Sequence, residues 1–347
     1  MAMDAARKLL VILGPTCSGK SSLALNVARR TGAQMLSVDA MQVYQDMNIG
    51  TAKPSAAEQN EIRHHLINCV PPDESFSVAR FVELAEGVIS HAAQKDETPI
   101  LGDFPSSPCT QGEGWGGGSL FEPPRKCVKP AQTGSPLIAC GGTPLYYKSL
   151  FYGLFEGPGA DSAVRERLNA LSGEELHERL KTADPAAAAR IHPGDQKRLI
   201  RALEVFELTG RPISSFQTDW DSPAGARFPA VWIGLRWETA ELNRRLNART
   251  KEMIAAGWID EVRDLIKRYP NWSQTASGAM GYQFLRQHLE GRMTLDDAFE
   301  QIKISTRQLA RRQMKWFKRF PGVHWLEGNR PMEQNVEEVL QLWRARV

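Results

Sequence analysis

The residues best suited to chemistry lie near the start of the chain, at positions 14–21, which read Gly-Pro-Thr-Cys-Ser-Gly-Lys-Ser. This octet matches the pattern G-x-x-x-x-G-K-[ST], in which glycines allow backbone N–H groups to surround a phosphate. An apolar run precedes it and a segment with helical spacing follows it, so a helix N-terminus adds partial positive charge. The pattern predicts a loop that binds a di- or triphosphate, with Lys20 reaching the outer phosphate and the Ser21 hydroxyl holding a magnesium ion.

A second chemical group, Asp39, comes directly after an apolar segment at residues 33–38 that is typical of a buried strand. A carboxylate at the C-terminal end of a parallel strand faces the ligand crevice of an α/β sheet. Residue types alone leave three roles open for Asp39: an acid on the magnesium side, a general base toward a second substrate, or the cap of a following helix.

Other candidate residues of this crevice follow along the chain. The stretch 39–54 is polar and has no regular period, so we expect a functional loop there. The strand expected at 136–140 ends in Gly141-Gly142-Thr143, a second glycine corner that would line the same crevice. The adjacent His64 and His65 have no further ligand at metal-binding spacing, so packing or hydrogen bonding is favoured for them over metal binding.

The bulk composition is typical of a globular enzyme with one large domain or two ordinary ones. The 347 residues are 42% hydrophobic and 24% charged, and the formal net charge is +3 at pH 7. A net charge this small requires any nucleic-acid surface to come from local clustering of Lys and Arg. We expect a cytoplasmic protein without a membrane segment, signal peptide or structural zinc, because long apolar stretches and paired zinc-type cysteines are absent from the sequence.

The order of the elements predicts an α/β fold with a parallel sheet and an inserted helical domain. Residues 1–152 would form the first part of the core, 153–225 the helical insertion, and 226–347 the rest of the core, including one helix over 239–267. Residues 102–135 are dense in Gly, Pro and Ser without any period. They predict a disordered insertion, because such a segment cannot bury enough apolar surface to offset its ordering entropy.

The most basic segment of the chain lies at residues 301–320, with seven Lys or Arg and no acid. Trp316, Phe317 and Phe320 are interleaved with the basic residues, which predicts a helix with one face in the core and the other toward backbone phosphates. A solvated helix on an ordinary enzyme is the alternative. Further basic residues favour a nucleic-acid partner: Lys197, Arg198, Arg201, Arg244 and Arg245.

Several segments together resemble the tRNA dimethylallyltransferases, also called tRNA isopentenyltransferases. They are GPTCSGKSSLA, SVDAMQVYQDMNIGTAKPS, HHLINCVPPDESFSVARF, GGTPLYYKSL, ADPAAAARIHPGDQKRLIRALEVFELTGRP, and AMGYQFL followed by STRQLARRQMKWFKRF. They occur in order and cover nearly the whole chain apart from residues 102–135. The pattern DxxxxY followed by GTAKP, and the block IHPGDQKRLIRALEV, are far more specific than a phosphate loop alone.

The resemblance implies a P-loop-kinase-like core and transfer of a dimethylallyl group from its diphosphate to N6 of adenosine 37, in tRNAs that read codons beginning with U. By position, Asp39 resembles the general base, Arg249 the arginine that contacts the diphosphate, and Thr16 a further catalytic residue. The diphosphate, with Mg²⁺ at Ser21, would bind to Gly14, Pro15, Thr16, Cys17, Ser18, Gly19, Lys20 and Ser21.

The resemblance also implies a tRNA site. Its residues would be Asp39, Ala40, Met41, Gln42, Thr143, Arg165, Gln196, Lys197, Arg198, Leu199, Ile200, Gly281 and Tyr282. The expected partners are tRNA and dimethylallyl diphosphate, and the expected state is a monomer. The sequence departs from the family pattern at Cys17, where a small residue is usual, at Asn68, where aspartate is usual, and at 277–283, where some members have Arg or Lys.

Two other classes share part of this pattern. A small-molecule kinase of the shikimate or adenylate kinase type has the phosphate loop and the strand that ends in Asp, but it has no need of the GTAKP loop or the basic aromatic helix. A P-loop protein that only binds RNA is disfavoured, because Asp39, Arg249 and the phosphate loop are all expected at one crevice. The sequence therefore favours a transferase that acts on tRNA.

Overall fold

A computed structural model describes residues 9–93, 134–154, 157–216 and 226–345. The chain divides into two compact units: a core, drawn from residues 1–150 and 228–347, and a helical unit at 151–227. The disordered insertion predicted at 102–135 lies outside the described residues except for its last two positions, so it stays a prediction.

Within the described residues, six parallel strands form the sheet of the core. They are β1 (Leu9–Leu13), β2 (Gln34–Ser37), β3 (His64–His65), β4 (Leu137–Gly141), β5 (Ala230–Arg236) and β6 (His324–Glu327). Their order across the sheet is β3-β2-β4-β1-β5-β6. Strands β1, β2 and β4 are buried along their whole length, as expected for apolar strands covered on both faces. The predicted α/β class with a parallel sheet is confirmed.

Helices connect these strands and make up the second unit. In chain order they are α1 (Lys20–Thr31), α2 (Ala56–Glu61), α3 (Val78–Ala93), α4 (Pro144–Tyr152), α5 (Ser162–Asn169), α6 (Gly173–Ala183), α7 (Pro185–Ala188), α8 (Gln196–Thr209), α9 (Thr239–Ala255), α10 (Trp258–Arg268), α11 (Gln274–Ser277), α12 (Tyr282–Leu289), α13 (Leu295–Phe317) and α14 (Met332–Ala345). Among the described residues, no helix is long and apolar enough to cross a membrane.

Helices cover both faces of the sheet. On one face, Leu23 of α1 and Leu340 of α14 share a core cluster with Ile12 of β1. On the other face, the ring of Tyr147 in α4 packs between those of Trp232 in β5 and Phe317 in α13, with centroids 6.1 and 6.2 Å away. Because side chains alternate along a strand, the two faces draw on alternate residues of the same apolar runs. The basic segment thus packs its aromatic face inward, as predicted.

The single helix predicted over residues 239–267 is wrong, because the chain forms two helices there. Gly257 separates α9 from α10 and has φ 96°, a left-handed conformation that glycine adopts without steric cost. The break turns α10 toward the loop that follows Asp39, where Glu261 accepts hydrogen bonds from backbone N–H groups.

The helical unit has its own apolar core. Leu176 and Leu180 of α6 pack with Leu199 and Leu203 of α8. Ser172 and Glu175 form a reciprocal capping box at the start of α6. These local and packing features make the unit compact by itself.

Candidate active site

The order of the strands brings three of the predicted segments side by side. Strand β4 lies between β2 and β1. Because parallel strands point in the same direction, the segments that follow β2, β4 and β1 leave the sheet at the same edge. These segments are Asp39, the corner at Gly142 and Thr143, and the phosphate loop (residues 14–21). The candidate active site lies where they meet.

The phosphate loop connects β1 to α1, which begins at Lys20. Cys17 has φ 63°, a conformation that is uncommon for residues other than glycine. Its side chain is buried with Leu246 of α9 and Ala310 of α13, and this packing holds the loop in place. Strained residues that are held by their surroundings are typical of ligand-binding loops.

Trp237 and Arg245, which follow β5 in the chain, bind backbone carbonyls of the phosphate loop. The Trp237 indole Nε1–H donates to the Ser18 carbonyl at 2.8 Å, and Arg245 Nε donates to the Cys17 carbonyl at 3.1 Å. The Arg245 guanidinium lies 4.2 Å from the centroid of the Trp237 ring. Arg245, which the sequence placed among possible nucleic-acid contacts, supports the phosphate loop in the structure.

Lys20 and Asp39 face the same glycine. A Cβ atom added at Gly142 would lie 3.6 Å from Asp39 Oδ2 and 3.7 Å from Lys20 Nζ. Lys20 Nζ also donates to the Pro15 carbonyl at 3.3 Å. Burial lowers the pKa of Lys20, and the nearby Asp39 carboxylate opposes that shift. The site therefore combines a cation suited to phosphate with a carboxylate suited to accept a proton.

The two oxygens of Asp39 have different surroundings. Oδ1 accepts hydrogen bonds from the backbone N–H groups of Met41 at 2.9 Å and Gln42 at 3.4 Å. Oδ2 faces Gly142. Among the described residues, none donates a hydrogen bond to Oδ2. Oδ1 thus caps a turn, whereas Oδ2 is available to a substrate. Capping and proton transfer, which the sequence left as alternatives, are compatible at this residue.

Residues 40–42 and Thr143 join the Asp39 turn to its neighbours. The Thr143 hydroxyl accepts from the Ala40 N–H at 3.0 Å. The Gln42 side chain accepts from the Ser37 hydroxyl at 2.8 Å and donates to the Ala52 carbonyl at 3.2 Å. All four predicted tRNA contacts in this region (Ala40, Met41, Gln42 and Thr143) are half-buried, and the contacts themselves stay predictions.

Arg249 lies next to the phosphate loop, and Ser21 is the last residue of that loop. Arg249 of α9 has Nη1 3.6 Å from Cys17 Sγ, and its charge contributes to the lowered pKa of Lys20 after burial, the largest cause. Ser21 is exposed on the first turn of α1. The described residues contain no group of three or more His, Cys, Asp or Glu that could hold a metal. A serine hydroxyl together with phosphate oxygens is a donor set that fits Mg²⁺.

Glu261 of α10 holds the loop that follows Asp39. Its Oε2 accepts from the backbone N–H groups of Asn48 at 2.9 Å and Ile49 at 2.8 Å. Its Oε1 accepts from the Tyr282 hydroxyl at 2.6 Å. Tyr282 is completely buried, so its side chain supports this loop, and the tRNA contact expected of it stays a prediction.

Gly281 is also buried, next to Tyr282. It has φ 89°, and a Cβ atom there would lie 2.2 Å from the Trp258 ring, so only glycine fits. The tRNA contact expected at Gly281 stays a prediction as well.

Lys53, in the same loop, is held by neutral groups. Its Nζ donates to the Tyr44 carbonyl and to Asn68 Oδ1, each at 2.6 Å. Burial lowers the pKa of Lys53 to about 7, although the charges of Glu261, Asp46 and Asp39 oppose this shift. The side chain that accepts from this ammonium is an amide and not a carboxylate.

We expect Asn68→Asp to raise the free energy of unfolding at pH 7 by about 1–3 kcal/mol, because a carboxylate would pair with the Lys53 ammonium. The folded pKa near 7 lies below the ordinary value of 10.5. The folded state therefore binds fewer protons than the unfolded state between these values, and the free energy of unfolding rises with pH across that window. In Asn68→Asp the folded pKa is higher, so this rise becomes smaller.

Urea unfolding at pH 7 and at about pH 9.5 measures both effects. Asn60→Asp, at an exposed position of α2, is the matched control. An equal pH dependence in the wild type and in Asn68→Asp would contradict the prediction.

The His pair is explained by packing, as predicted. His65 is fully buried, and its Nε2 lies 2.9 Å from Gln34 Oε1. Burial lowers the pKa of His65 to about 4, so the ring is neutral at physiological pH. His64 Nδ1 lies 2.7 Å from the Ile62 carbonyl.

The remaining predicted tRNA contacts belong to the helical unit. Arg165 forms two hydrogen bonds, at 2.7 and 3.0 Å, with the fully buried Glu204. Burial alone would raise the pKa of Glu204, but hydrogen bonds from Arg165 and Arg201 outweigh it and lower that pKa. Glu204 thus fixes the direction of the half-exposed Arg165.

The segment 196–200 of α8 contains three exposed polar side chains followed by two buried apolar ones. Gln196, Lys197 and Arg198 are exposed. Leu199 and Ile200 are buried in the core of the helical unit, and the tRNA contacts expected at this segment stay predictions. Their apolar side chains stabilise the helix that presents the three polar residues.

Helix α13 separates its basic residues from its apolar ones. Arg311, Arg312 and Lys315 are exposed, as are Lys318 and Arg319 just after the helix. None of these five forms an ion pair with any other residue that the structure describes. Cations in ion pairs are partly neutralised, whereas these five residues, called the basic row below, keep their full charge for an anionic partner.

The parallel sheet, the phosphate loop at the start of α1 and the acid after β2, which lies two strands away from β1, define a P-loop-type α/β protein. The comparisons with known proteins identify the family within that class. The model of the IPP transferases matches residues 42–102 and 125–320. The gap between the two matched ranges covers most of the segment predicted to be an insertion. The chain belongs to the IPP transferase family.

Individual relatives match over almost their whole length. The tRNA dimethylallyltransferase 1 of Citrifermentans bemidjiense is 36% identical over 320 residues, which cover 92% of each chain. The tRNA dimethylallyltransferase of Geobacter metallireducens is 37% identical over 331 residues, 94% of each. The crystal structure of the full-length tRNA isopentenylpyrophosphate transferase from Bacillus halodurans is similar at a TM-score of 0.64, with 30% identity and 98% coverage of both chains.

Three residues around the site were not predicted from the sequence: Trp237, Glu261 and Gln313. Trp237 and Glu261 lack a local signal, because the backbone groups that they bind lie more than 200 residues away in sequence. Gln313 had a signal in the helical spacing of Ala310, Gln313 and Phe317, which places the glutamine on the buried face of α13.

Proposed function

We propose that this chain transfers a dimethylallyl group from dimethylallyl diphosphate to N6 of adenosine 37 in tRNAs that read codons beginning with U. The bond between carbon 1 of the dimethylallyl group and the diphosphate oxygen breaks, and a bond from that carbon to N6 forms. One proton leaves N6, and diphosphate is released. The observation that carries the proposal is the approach of Asp39 Oδ2 and Lys20 Nζ to the same glycine, Gly142, in a chain of this family.

Asp39 acts on the nucleophile. The exocyclic amine of adenine is a weak nucleophile, and a carboxylate can hydrogen-bond it and accept its proton as the new bond forms. The Oδ1 bonds to the turn hold the carboxylate in place while Oδ2 faces the reaction. The adenine has to leave its stack to reach this crevice, so we expect base flipping.

The phosphate loop acts on the leaving group. Backbone N–H groups, Lys20, Thr16 and Arg249 stabilise the negative charge that develops on the diphosphate. Ser21 would hold Mg²⁺, which when bound neutralises part of the diphosphate charge. The loop is fixed from outside by Trp237 and Arg245, so it needs little rearrangement when the substrate binds.

The tRNA would be bound mainly through its backbone phosphates. The exposed row on α13 and the exposed residues Gln196, Lys197 and Arg198 of the helical unit supply the contacts. In this proposal the chain acts as a monomer in the cytoplasm.

A labelled-prenyl assay tests the proposed function. The purified chain is mixed with labelled dimethylallyl diphosphate, Mg²⁺ and unmodified tRNA whose anticodon ends in A, and label in tRNA is counted. We expect label at the adenosine next to the anticodon. Absence of label from folded protein, together with turnover of ATP on a small alcohol, would favour the kinase class instead.

Replacing Arg311 and Arg312 together with alanine is expected to weaken tRNA binding and to reduce its salt dependence. Each lost phosphate contact lowers the slope of log K against log salt by about 0.7–0.9. Filter binding over a salt series measures the slope. Arg263→Ala combined with Lys267→Ala, on exposed positions of α10, is the control. An unchanged slope in the α13 variant would remove this row from the tRNA site.

A further inference from the structure

One buried glutamine connects two of the loops at the site. Gln313 of α13 is only 7% exposed. Its Oε1 accepts from the backbone N–H of Thr16 at 2.9 Å, and its Nε2 donates to the carbonyl of Gly142 at 2.6 Å. The side chain therefore joins the phosphate loop to the glycine corner after β4.

The amide is matched to both partners. Thr16 offers a donor and Gly142 an acceptor, and a glutamine side chain supplies one acceptor and one donor at its end. Glutamate of the same shape would lose the donor toward Gly142, and methionine would lose both bonds. A buried N–H or carbonyl without a hydrogen-bond partner lowers the stability of the fold, so few side chains can replace glutamine at this position.

The amide also lies in the space where the chemistry is proposed. A Cβ atom at Gly142 would be 2.8 Å from Gln313 Nε2, and Asp39 Oδ2 and Lys20 Nζ surround the same point. A shift of the Gln313 amide would move Thr16 of the phosphate loop relative to Asp39. Misplacement by about 1 Å is enough to cost about 10²-fold in rate.

We propose that Gln313 is a positioning residue that sets the distance between the phosphate loop and the Asp39 carboxylate by holding Thr16 and Gly142 together. The proposal rests on the proposed function. Gln313 touches neither substrate in this scheme and acts through the Thr16 backbone. Helix α13 thus has a role inside the reaction site in addition to its exposed basic row.

Gln313 lies on the same turn of α13 as two cations of the basic row. Arg311 and Arg312 precede it directly and are exposed, while Gln313 points into the site. Binding of tRNA phosphates to the basic row therefore stabilises the same helix turn that holds the phosphate loop. Prenyl transfer should depend on Gln313 more strongly than tRNA binding does.

The test compares Gln313→Met and Gln313→Glu with the wild type in single-turnover prenyl transfer, with saturating tRNA and dimethylallyl diphosphate. We expect Gln313→Met to lower the rate by about 10- to 100-fold. Its tRNA dissociation constant should stay within about twofold of the wild type, since phosphate contacts set that affinity.

Gln313→Glu adds a signature that a merely structural role would not produce. When ionised, the glutamate opposes the Gly142 carbonyl and adds a negative charge beside Lys20 and Asp39, so affinity for inorganic diphosphate with Mg²⁺ should fall. When protonated it regains a donor. The ratio of the Gln313→Glu rate to the wild-type rate should therefore rise as the pH is lowered from 8 to 6.

Gln308→Met and Gln308→Glu, at an exposed position of the same helix, are the matched controls, and thermal melts check folding. If Gln313→Met does not fold, Gln313→Asn, which is too short for both bonds, replaces it. A wild-type rate in the folded variant, or a ratio independent of pH, would overturn the positioning role. If the wild type itself transfers no label, the proposed function fails, and diphosphate binding by the Gln313 variants still tests the role at the loop.

Discussion

Replacing Asp39 with asparagine is expected to lower the single-turnover rate of prenyl transfer by about 10²–10⁴-fold, the usual contribution of a general base. Asparagine keeps an acceptor oxygen for the N–H groups of Met41 and Gln42, which bind Oδ1 in the wild type. The turn should therefore persist, while the Oδ2 position becomes an amide nitrogen that cannot accept the proton from adenine N6.

The control for this variant is Asp73→Asn, at an exposed position outside the three segments. Diphosphate and tRNA affinities should change little in Asp39→Asn, so the loss should be in the chemical step. A rate close to that of the wild type would leave the reaction intact but would remove Asp39 as its base.

Replacing Lys20 with methionine is expected to lower the same rate by about 10²–10³-fold, comparable to the loss of one preorganised donor at a developing anion. Lys20 is the first residue of α1 and lies beside the loop that would hold the diphosphate. Methionine has a similar length but no charge, so the developing charge on the leaving group would lose its nearest cation. The affinity for inorganic diphosphate with Mg²⁺ should fall as well.

Isothermal titration with diphosphate and single-turnover transfer separate the two effects of this change. Lys267→Met, on the exposed side of α10, is the control for loss of a lysine. If Lys20→Met binds diphosphate and transfers label as the wild type does, the diphosphate lies elsewhere than in the phosphate loop.

The two catalytic candidates differ in how far the sequence could predict them. The phosphate loop is a local pattern, in which the order of glycines, lysine and serine dictates a backbone that binds phosphate. Asp39 was found because an acid directly after an apolar strand has a known direction in a parallel sheet. The three alternative roles of Asp39 stayed open, because which oxygen caps the turn and which faces Gly142 depends on β4, about a hundred residues away.

The sequence was least informative where burial decides which side chains of a segment are exposed. Leu199, Ile200 and Tyr282 lie in segments that the family resemblance links to tRNA, and all three side chains are buried. A motif marks a segment, whereas the exposed face of that segment depends on what packs against it. The helix over 239–267 was predicted as continuous because a single glycine inside a helical pattern is often tolerated.

The sequence by itself determined the α/β class, the phosphate loop, the acid that follows β2 and the basic segment near the C-terminus, because each depends on residues close together in the chain. The tertiary structure alone decided the neighbours of these features. The strand order β2-β4-β1 places Asp39 and the phosphate loop on either side of Gly142. Residues hundreds of positions away, such as Gln313, then hold the loops together, because hydrogen bonds and packing between distant segments form only once the chain has folded.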